Sequence, residues 1–87
     1  MASYKILFKR NVEKELRSIS QPYLSKIMGK ISALAHQPRP SGIQMLKGDN
    51  RYFRIRYDDY RIIYDIDDSN QQVTVIKIGH RREVYDK

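Results

Sequence analysis

Tyr52-Phe53-Arg54-Ile55-Arg56-Tyr57-Asp58-Asp59-Tyr60-Arg61-Ile62-Ile63-Tyr64 alternates with period two on both sides of its central acidic pair. Phe53, Ile55 and Tyr57 fall on one face, and Arg54 and Arg56 on the other. Beyond the acidic pair, Tyr60, Ile62, Tyr64 and Ile66 share a face, with Arg61 opposite. Such alternation marks half-buried strands, and Asp58-Asp59 predicts a two-residue hairpin turn. The turn sets the register: Tyr57 against Tyr60, Arg56 against Arg61, Ile55 against Ile62. Arg56 and Arg61 thereby become direct cross-strand neighbours, with Arg54 two residues along. Like charges so opposed destabilise a strand pair by about a fraction of a kcal/mol. A solvated face would tolerate this by laying Arg stems over apolar surface. Three arginines on one small face fit bidentate recognition of phosphate better, since bound phosphate relieves the repulsion.

Outward from the hairpin, Tyr4 to Phe8 predicts a short strand with Tyr4, Ile6 and Phe8 on one face. Val12, Leu16 and Ile19 form the apolar stripe of a first helix, with Asn11 as its expected cap and Lys14 and Arg17 on its other side. Ser20 is the expected cap of a second helix, with Pro22 in the first turn. Leu24, Ile27, Met28, Ile31, Leu34 and Ala35 form its stripe, and Lys26 and Lys30 lie off it. Gln37 to Gly42 is a breaker-rich loop. Ile43 to Leu46 reads as extended, Lys47 to Asn50 as a turn, Asp67 to Gln71 as another turn, and Gln72 to His80 as the last strand. Strict alternation there puts Ile76 and Ile78 in the core. It puts Val75, Lys77, Gly79 and Arg81 on the arginine face. The expected fold is α+β, in the order β-α-α-β-β-β-β. A mostly antiparallel sheet carries two antiparallel helices on its apolar face.

The chain of 87 residues predicts a single domain spanning 1–87, with room for one compact core. It has no cysteine, which excludes disulfides, a thiolate nucleophile and cysteine metal ligation. His36 and His80 lie far apart with no metal-ligand spacing around them, so neither a metal nor a cofactor is expected. His36, at a helix end, suits the helix dipole and carries no expected chemistry. There is no long apolar run and no secretory leader pattern, which reads as a cytoplasmic protein without a membrane partner. The net charge is +7, from 17 basic and 10 acidic residues. A small basic domain points to nucleic acid, an anionic surface or an acidic protein partner. Acids of the second half cluster at turns, leaving the strand bodies basic.

Four pieces in order carry a family resemblance. They are Leu46-Lys47-Gly48, Tyr52-Phe53-Arg54-Ile55-Arg56, Tyr60-Arg61-Ile62-Ile63-Tyr64 and Ile78-Gly79-His80-Arg81-Arg82-Glu83-Val84-Tyr85. Together they resemble the RelE toxins of the RelE/ParE superfamily, over the whole chain. The resemblance implies the toxin of a toxin–antitoxin pair that enters the ribosomal A site and cuts mRNA without metal. The ribose 2′-oxygen attacks the adjacent phosphate, leaving a 2′,3′-cyclic phosphate and a 5′-hydroxyl. The implied partners are an acidic RelB-like antitoxin, held in a hetero-oligomer, and the 70S ribosome with its mRNA and rRNA.

By the same resemblance, Arg56, Arg61, Arg81, Tyr85 and His80 are the expected catalytic residues. Arg54, Lys47, Lys77 and Arg82 are the expected RNA contacts. Clustered arginines supply charge to a phosphorane, and this cleavage needs little beyond positioning, charge and proton transfer. Tyr85 either stacks on a base or packs as a tail anchor. Some relatives carry lysine at the positions of Arg54 and Arg56. Arginine keeps its proton in proteins, so Arg56 is no general base, and His80 and Tyr85 are the titratable candidates. Arg81 is expected to protonate the leaving 5′-oxygen or stabilise it electrostatically, the electrostatic role being preferred. Two other readings use the same composition. A ParE-like toxin would bind DNA gyrase without cutting RNA, and a basic adaptor would bind RNA without needing Tyr85.

Overall fold

The computed structural model describes residues 3–45 and 52–80. Its elements are β1 (Lys5–Phe8), α1 (Arg10–Arg17), α2 (Tyr23–Ala33), β2 (Gln44–Met45), β3 (Tyr52–Tyr57), β4 (Tyr60–Asp67) and β5 (Gln72–His80). The five strands form one sheet in the order β1-β5-β4-β3-β2. Only the β1–β5 pairing is parallel, running from Lys5 opposite Gln72 to Phe8 opposite Val75. The other three pairings are antiparallel. This is the α+β architecture that the hydrophobic periodicity predicts, with two helices and a mostly antiparallel sheet.

The hairpin register is the expected one: Tyr57 opposes Tyr60, Arg56 opposes Arg61 and Ile55 opposes Ile62. Asp58 takes a φ of 54°, a left-handed conformation that Asp tolerates better than most residues. The second turn is tied by Asp67, whose carboxylate accepts from the backbone and side-chain amides of Asn70 at 3.2 and 2.9 Å.

The core lies between the helices and the apolar sheet face. Val12, Ile27, Leu34, Ile62, Tyr64, Val73 and Val75 are fully buried there. Both helix stripes supply it as expected: Ile19 and Ile31 join these, and Leu16, Leu24 and Met28 pack at its margin.

Strand β5 departs from strict alternation. Ile63 pairs with Lys77, but Tyr64 pairs with Val75, so Ile76 is an extra residue forming a bulge. The bulge lets Val73, Val75 and Ile78 all reach the core. The expectation that Ile76 faces the core while Val75 joins the arginine face is therefore corrected. Lys77 and Gly79 do pair with the arginine-face residues Ile63 and Arg61.

Both expected caps are corrected too. Lys9 precedes α1, and Pro22 precedes α2. Asn11 instead serves the edge of β5. Strand β1 ends at Phe8, and α1 takes over the exposed edge beyond it. Lys9 N–H donates to Val75 O at 3.0 Å. Asn11 Nδ2 donates to Ile76 O at 3.1 Å, and Ile78 N–H donates to Glu15 Oε1 at 2.7 Å. The Lys9 backbone and two α1 side chains thus satisfy the stretch of β5 edge that a longer β1 would otherwise cover. At α2, Gln21 Oε1 accepts from the Ser25 amide and hydroxyl, doing what a capping Ser20 was expected to do.

Candidate functional site

The arginine face is built by β3 and β4. Alternation sends Tyr52, Arg54 and Arg56 to the face opposite the core, and pairing sets Arg61, Ile63 and Asp65 beside them. Arg56 is exposed. Arg61 is only 4% exposed. Its Nη1 donates to the carbonyls of Asp58 and Tyr60 at 3.3 and 3.2 Å. Across from Arg61 stands Gly79, which brings no side chain against it. A guanidinium held by carbonyls at a strand end is a fixed positive charge. Fixing it in advance spares reorganisation when negative charge develops nearby.

Strand β2 contributes the next part. Gln44 pairs with Arg54, and Gln44 Oε1 accepts a hydrogen bond from Arg54 Nη2. Gly42, Gln44, Arg54 and Arg56 line a cleft of about 160 Å³. Sequence reasoning missed Gln44 and Gly42. The only signal was the extended run after the Pro-rich loop, which gives no register.

Two expected residues lie away from this cluster. Lys77 pairs opposite Ile63, but its Nζ is drawn 3.3 Å from Glu15 Oε2 on α1. His80 pairs with Tyr60 on the face opposite the arginines, its ring 5.7 Å from the Tyr60 ring in an edge-on arrangement. Its Nε2 is 3.9 Å from Asp59 Oδ2. His80 and Tyr60 help line a second cleft of about 150 Å³ with Glu15, Ser18 and Gly79. Tyr23 adds its ring 5.8 Å from Tyr60 and 6.4 Å from Tyr57. Lys47, Arg81, Arg82 and Tyr85 lie outside the described residues. Among the described residues, no group of acids and histidines could hold a metal ion. Also among them, no helix is long and apolar enough to cross a membrane.

The sequence model described as the ParE toxin of type II toxin-antitoxin system, parDE, matches residues 6–85. The chain belongs to this family of toxins, within the RelE/ParE superfamily. Solved structures agree. The isolated RelE toxin of E. coli is 26% identical, with a TM-score of 0.80, covering 95% of this chain and 92% of its own. RelE in the archaeal RelE–RelB complex of Pyrococcus horikoshii is 23% identical, with a TM-score of 0.81, over 91% of this chain and 96% of that one. RelBE2 from Mycobacterium tuberculosis is 22% identical, with a TM-score of 0.80, over 92% and 100%. The two lower identities speak for the fold alone. No curated protein sequence matches the chain. The protein is thus a toxin of a toxin–antitoxin system.

Proposed function

We propose that this toxin is a ribosome-dependent endoribonuclease that cuts mRNA in the ribosomal A site and so stops translation. The observation that carries the reading is the opposed pair Arg56 and Arg61, with Arg54 on the same rigid face. A chain selected for stability alone has no reason to oppose two guanidiniums. A chain that binds a phosphodiester has one.

In this reading the 2′-oxygen attacks phosphorus and the P–O5′ bond breaks. The 2′-hydroxyl proton goes to a base, and the leaving 5′-oxygen takes up a proton. The products are a 2′,3′-cyclic phosphate and a 5′-hydroxyl. Arg61 and Arg56 stabilise the phosphorane charge, and Arg81 stabilises the leaving oxygen. Of the two titratable candidates, the place of His80 beside Tyr60 favours Tyr85 as the group that moves the proton. Arg54 holds the strand, with Lys47, Lys77 and Arg82 as further RNA contacts. The exposed Lys14, Arg17 and Lys26 on the helices, with Lys30, meet rRNA phosphate. Such a toxin works where ribosomes are, in the cytoplasm, and the reaction takes no cofactor.

The solved neighbours include RelE bound to RelB, which supports a cognate antitoxin here. With a net charge of +7 on the toxin, an acidic RelB-like segment is the complementary partner in a hetero-oligomer.

The second reading is a gyrase-binding inhibitor without nuclease activity, favoured by the ParE description of the matching family. In vitro translation with purified toxin, followed by mapping of mRNA 5′ ends, separates the two. Cuts within the A-site codon, made without added metal, are the expected result. Arrested translation with intact mRNA, together with trapped gyrase–DNA cleavage complexes, would replace the nuclease reading with the second.

A further inference from the structure

Beyond Val75 the last strand has a strand neighbour on one side only. Strand β1 pairs with β5 as far as Val75, while β4 pairs with it as far as His80. On the other side α1 takes the place of a strand. Lys9, Asn11 and Glu15 bond backbone groups of β5 at Val75, Ile76 and Ile78 in turn. Asn11 and Glu15 stand one helical turn apart and so share a face of α1. Of these three ties, the one from Glu15 alone has a charged acceptor. Glu15 Oε1 accepts from the Ile78 amide at 2.7 Å, a short, charge-assisted bond. Its Oε2 accepts from Lys77 Nζ and Asn11 Nδ2, both at 3.3 Å. The Glu15 side chain is only 22% exposed, so this carboxylate is held by its donors and largely shielded from water.

The tie lies next to the arginine pair. Gly79 follows Ile78 and is the cross-strand partner of Arg61. Gly79 is buried and has no side chain, so nothing there absorbs a shift of the β5 backbone beside Arg61. The bulge at Ile76 breaks the ladder just before this stretch. Register therefore does not carry through rigidly from the part of β5 that β1 supports, and the end of the strand is set locally.

We propose that Glu15 is a positioning residue for Arg61. Through the Ile78 amide it fixes the end of β5 beside which the guanidinium stands, while the turn carbonyls of Asp58 and Tyr60 hold its Nη1. Glu15 acts through the strand and leaves binding of the RNA to other residues. Its effect on cleavage rests on the nuclease reading. Its effect on Arg61 does not.

Glu15→Ala removes the acceptor. Glu15→Asp keeps the charge but falls one methylene short of the amide, and Glu15→Gln keeps an oxygen in place without the charge. Tyr64→Phe is the control, weakening the fold at the far end of the sheet. In the free toxin the readouts are hydrogen exchange at the Ile78 amide and nitrogen relaxation of the Arg61 Nε–H group. On programmed ribosomes the readout is single-turnover cleavage, at a temperature where every variant is folded. Glu15→Ala should speed exchange at Ile78 and loosen Arg61. It should lower saturated cleavage by roughly 10–10²-fold, the scale of a small misplacement of a catalytic group, with the half-maximal toxin concentration unchanged. Glu15→Asp should follow it to a smaller extent. Glu15→Gln should stay within roughly threefold of wild type, because a neutral acceptor makes a weaker bond of the same geometry. Tyr64→Phe should lower the melt and leave Arg61 and cleavage alone. In an Arg61→Ala background, Glu15→Ala should cost no further cleavage, although its effect on the melt persists.

Wild-type Arg61 relaxation in folded Glu15→Ala and Glu15→Asp would reduce Glu15 to a tie on a strand edge. So would a cleavage loss that is undiminished in the Arg61→Ala background. If wild-type toxin leaves ribosomal mRNA intact, the nuclease reading fails and Arg61 relaxation decides alone. Mobility gained in Glu15→Ala then keeps the positioning role, and unchanged mobility removes it.

Discussion

The two ends of the sheet treat charge in opposite ways. At the end where β4 turns into β5, Asp68 meets its opposite charge. Arg39 meets Asp68 through two hydrogen bonds, at 3.2 and 2.9 Å, and its guanidinium lies 5.6 Å from the centre of the Phe53 ring. The Tyr4 hydroxyl donates to the same carboxylate at 2.6 Å, and the Tyr64 hydroxyl donates to Pro38 O at 2.8 Å. These contacts tie the 37–42 loop onto the sheet. At the other end, where β3 turns into β4, Arg56 faces Arg61 and Arg54 stands beside them. The first end spends polar groups on holding the chain together. The second holds like charges in place on a frame that the first end and the core make rigid. Substitutions at the two ends should therefore fail in different assays.

The largest effect is expected at the hairpin end. Arg61→Ala should lower single-turnover cleavage on programmed ribosomes by about 10²–10³, the usual loss of one preorganised charge donor. Ribosome binding should persist through the helix lysines and arginines. The melt should fall as well, because the buried side chain and its two bonds to the turn carbonyls are lost, only partly offset by relief of the repulsion with Arg56, so cleavage is compared where the variant is still folded. Wild-type cleavage in folded Arg61→Ala would reduce Arg61 to a structural tie on the turn and erase the contrast.

How much of this contrast was legible depends on the range of the signal. The hairpin was readable because a two-residue turn and an unbroken alternation fix register locally. The helix stripes were readable for the same reason. The bulge at Ile76 was not, because Ile76 and Ile78 are alike and only the packing of Val73 and Val75 decides between them. Asn11 looked like a cap because the sequence cannot show that β1 ends at Phe8 and leaves carbonyls of β5 to serve. The parallel β1–β5 pairing joins residues more than sixty positions apart and leaves no local mark. At the site, alternation placed Arg54, Arg56 and Arg61 on one face. It gave no hint that Arg61 is buried, since its burial comes from its place beside Gly79 and the turn carbonyls. The role of Gln44 rests on a two-residue strand, too short for any periodicity.

A smaller effect, and on stability alone, is expected from Tyr64→Phe. The hydroxyl loses its bond to Pro38 O, at a cost of about 1 kcal/mol, or roughly 4–8 °C in Tm for a domain of this size. Burial disfavours the phenolate and pushes the Tyr64 hydroxyl up from 10.0 to about 12, with nearby Arg39 pulling weakly the other way. A raised value in the fold means that the contribution is whole below pH 10 and fades as pH climbs towards 12. Melts of wild type across that window should fall more steeply than those of Tyr64→Phe, while cleavage at neutral pH stays equal. Equal alkaline slopes in the two proteins would show that this hydroxyl is not shielded.

The smallest effect belongs to the Arg39–Asp68 pair, and its sign is fixed by the charges. Hydrogen bonding from Arg39, then from Tyr4, holds the Asp68 carboxyl below its usual value of 3.8, against a small opposing push from desolvation. A carboxyl lowered in the fold contributes stability that is whole above its unfolded value and is lost as pH falls through the lowered one. The pair is solvent-exposed, about half on each side chain, so water and salt screen it and its worth is that of a surface ion pair. Asp68→Asn keeps the size of the side chain and removes the charge. Its melting temperature should sit slightly below wild type at pH 6 and converge with it as pH falls below the usual carboxylate range. High salt at pH 6 should narrow the same gap, because screening weakens exposed pairs first. Arg39→Gln should show the same pH and salt dependence, and the double variant should lose less than the sum of the two, since they share the ion pair but not the Phe53 and Tyr4 contacts. Cleavage should be untouched in all of them. A loss of activity in Asp68→Asn at unchanged stability would mean that the far end also governs the arginine cleft, through the loop that carries Gly42, and the division of labour between the two ends would fall.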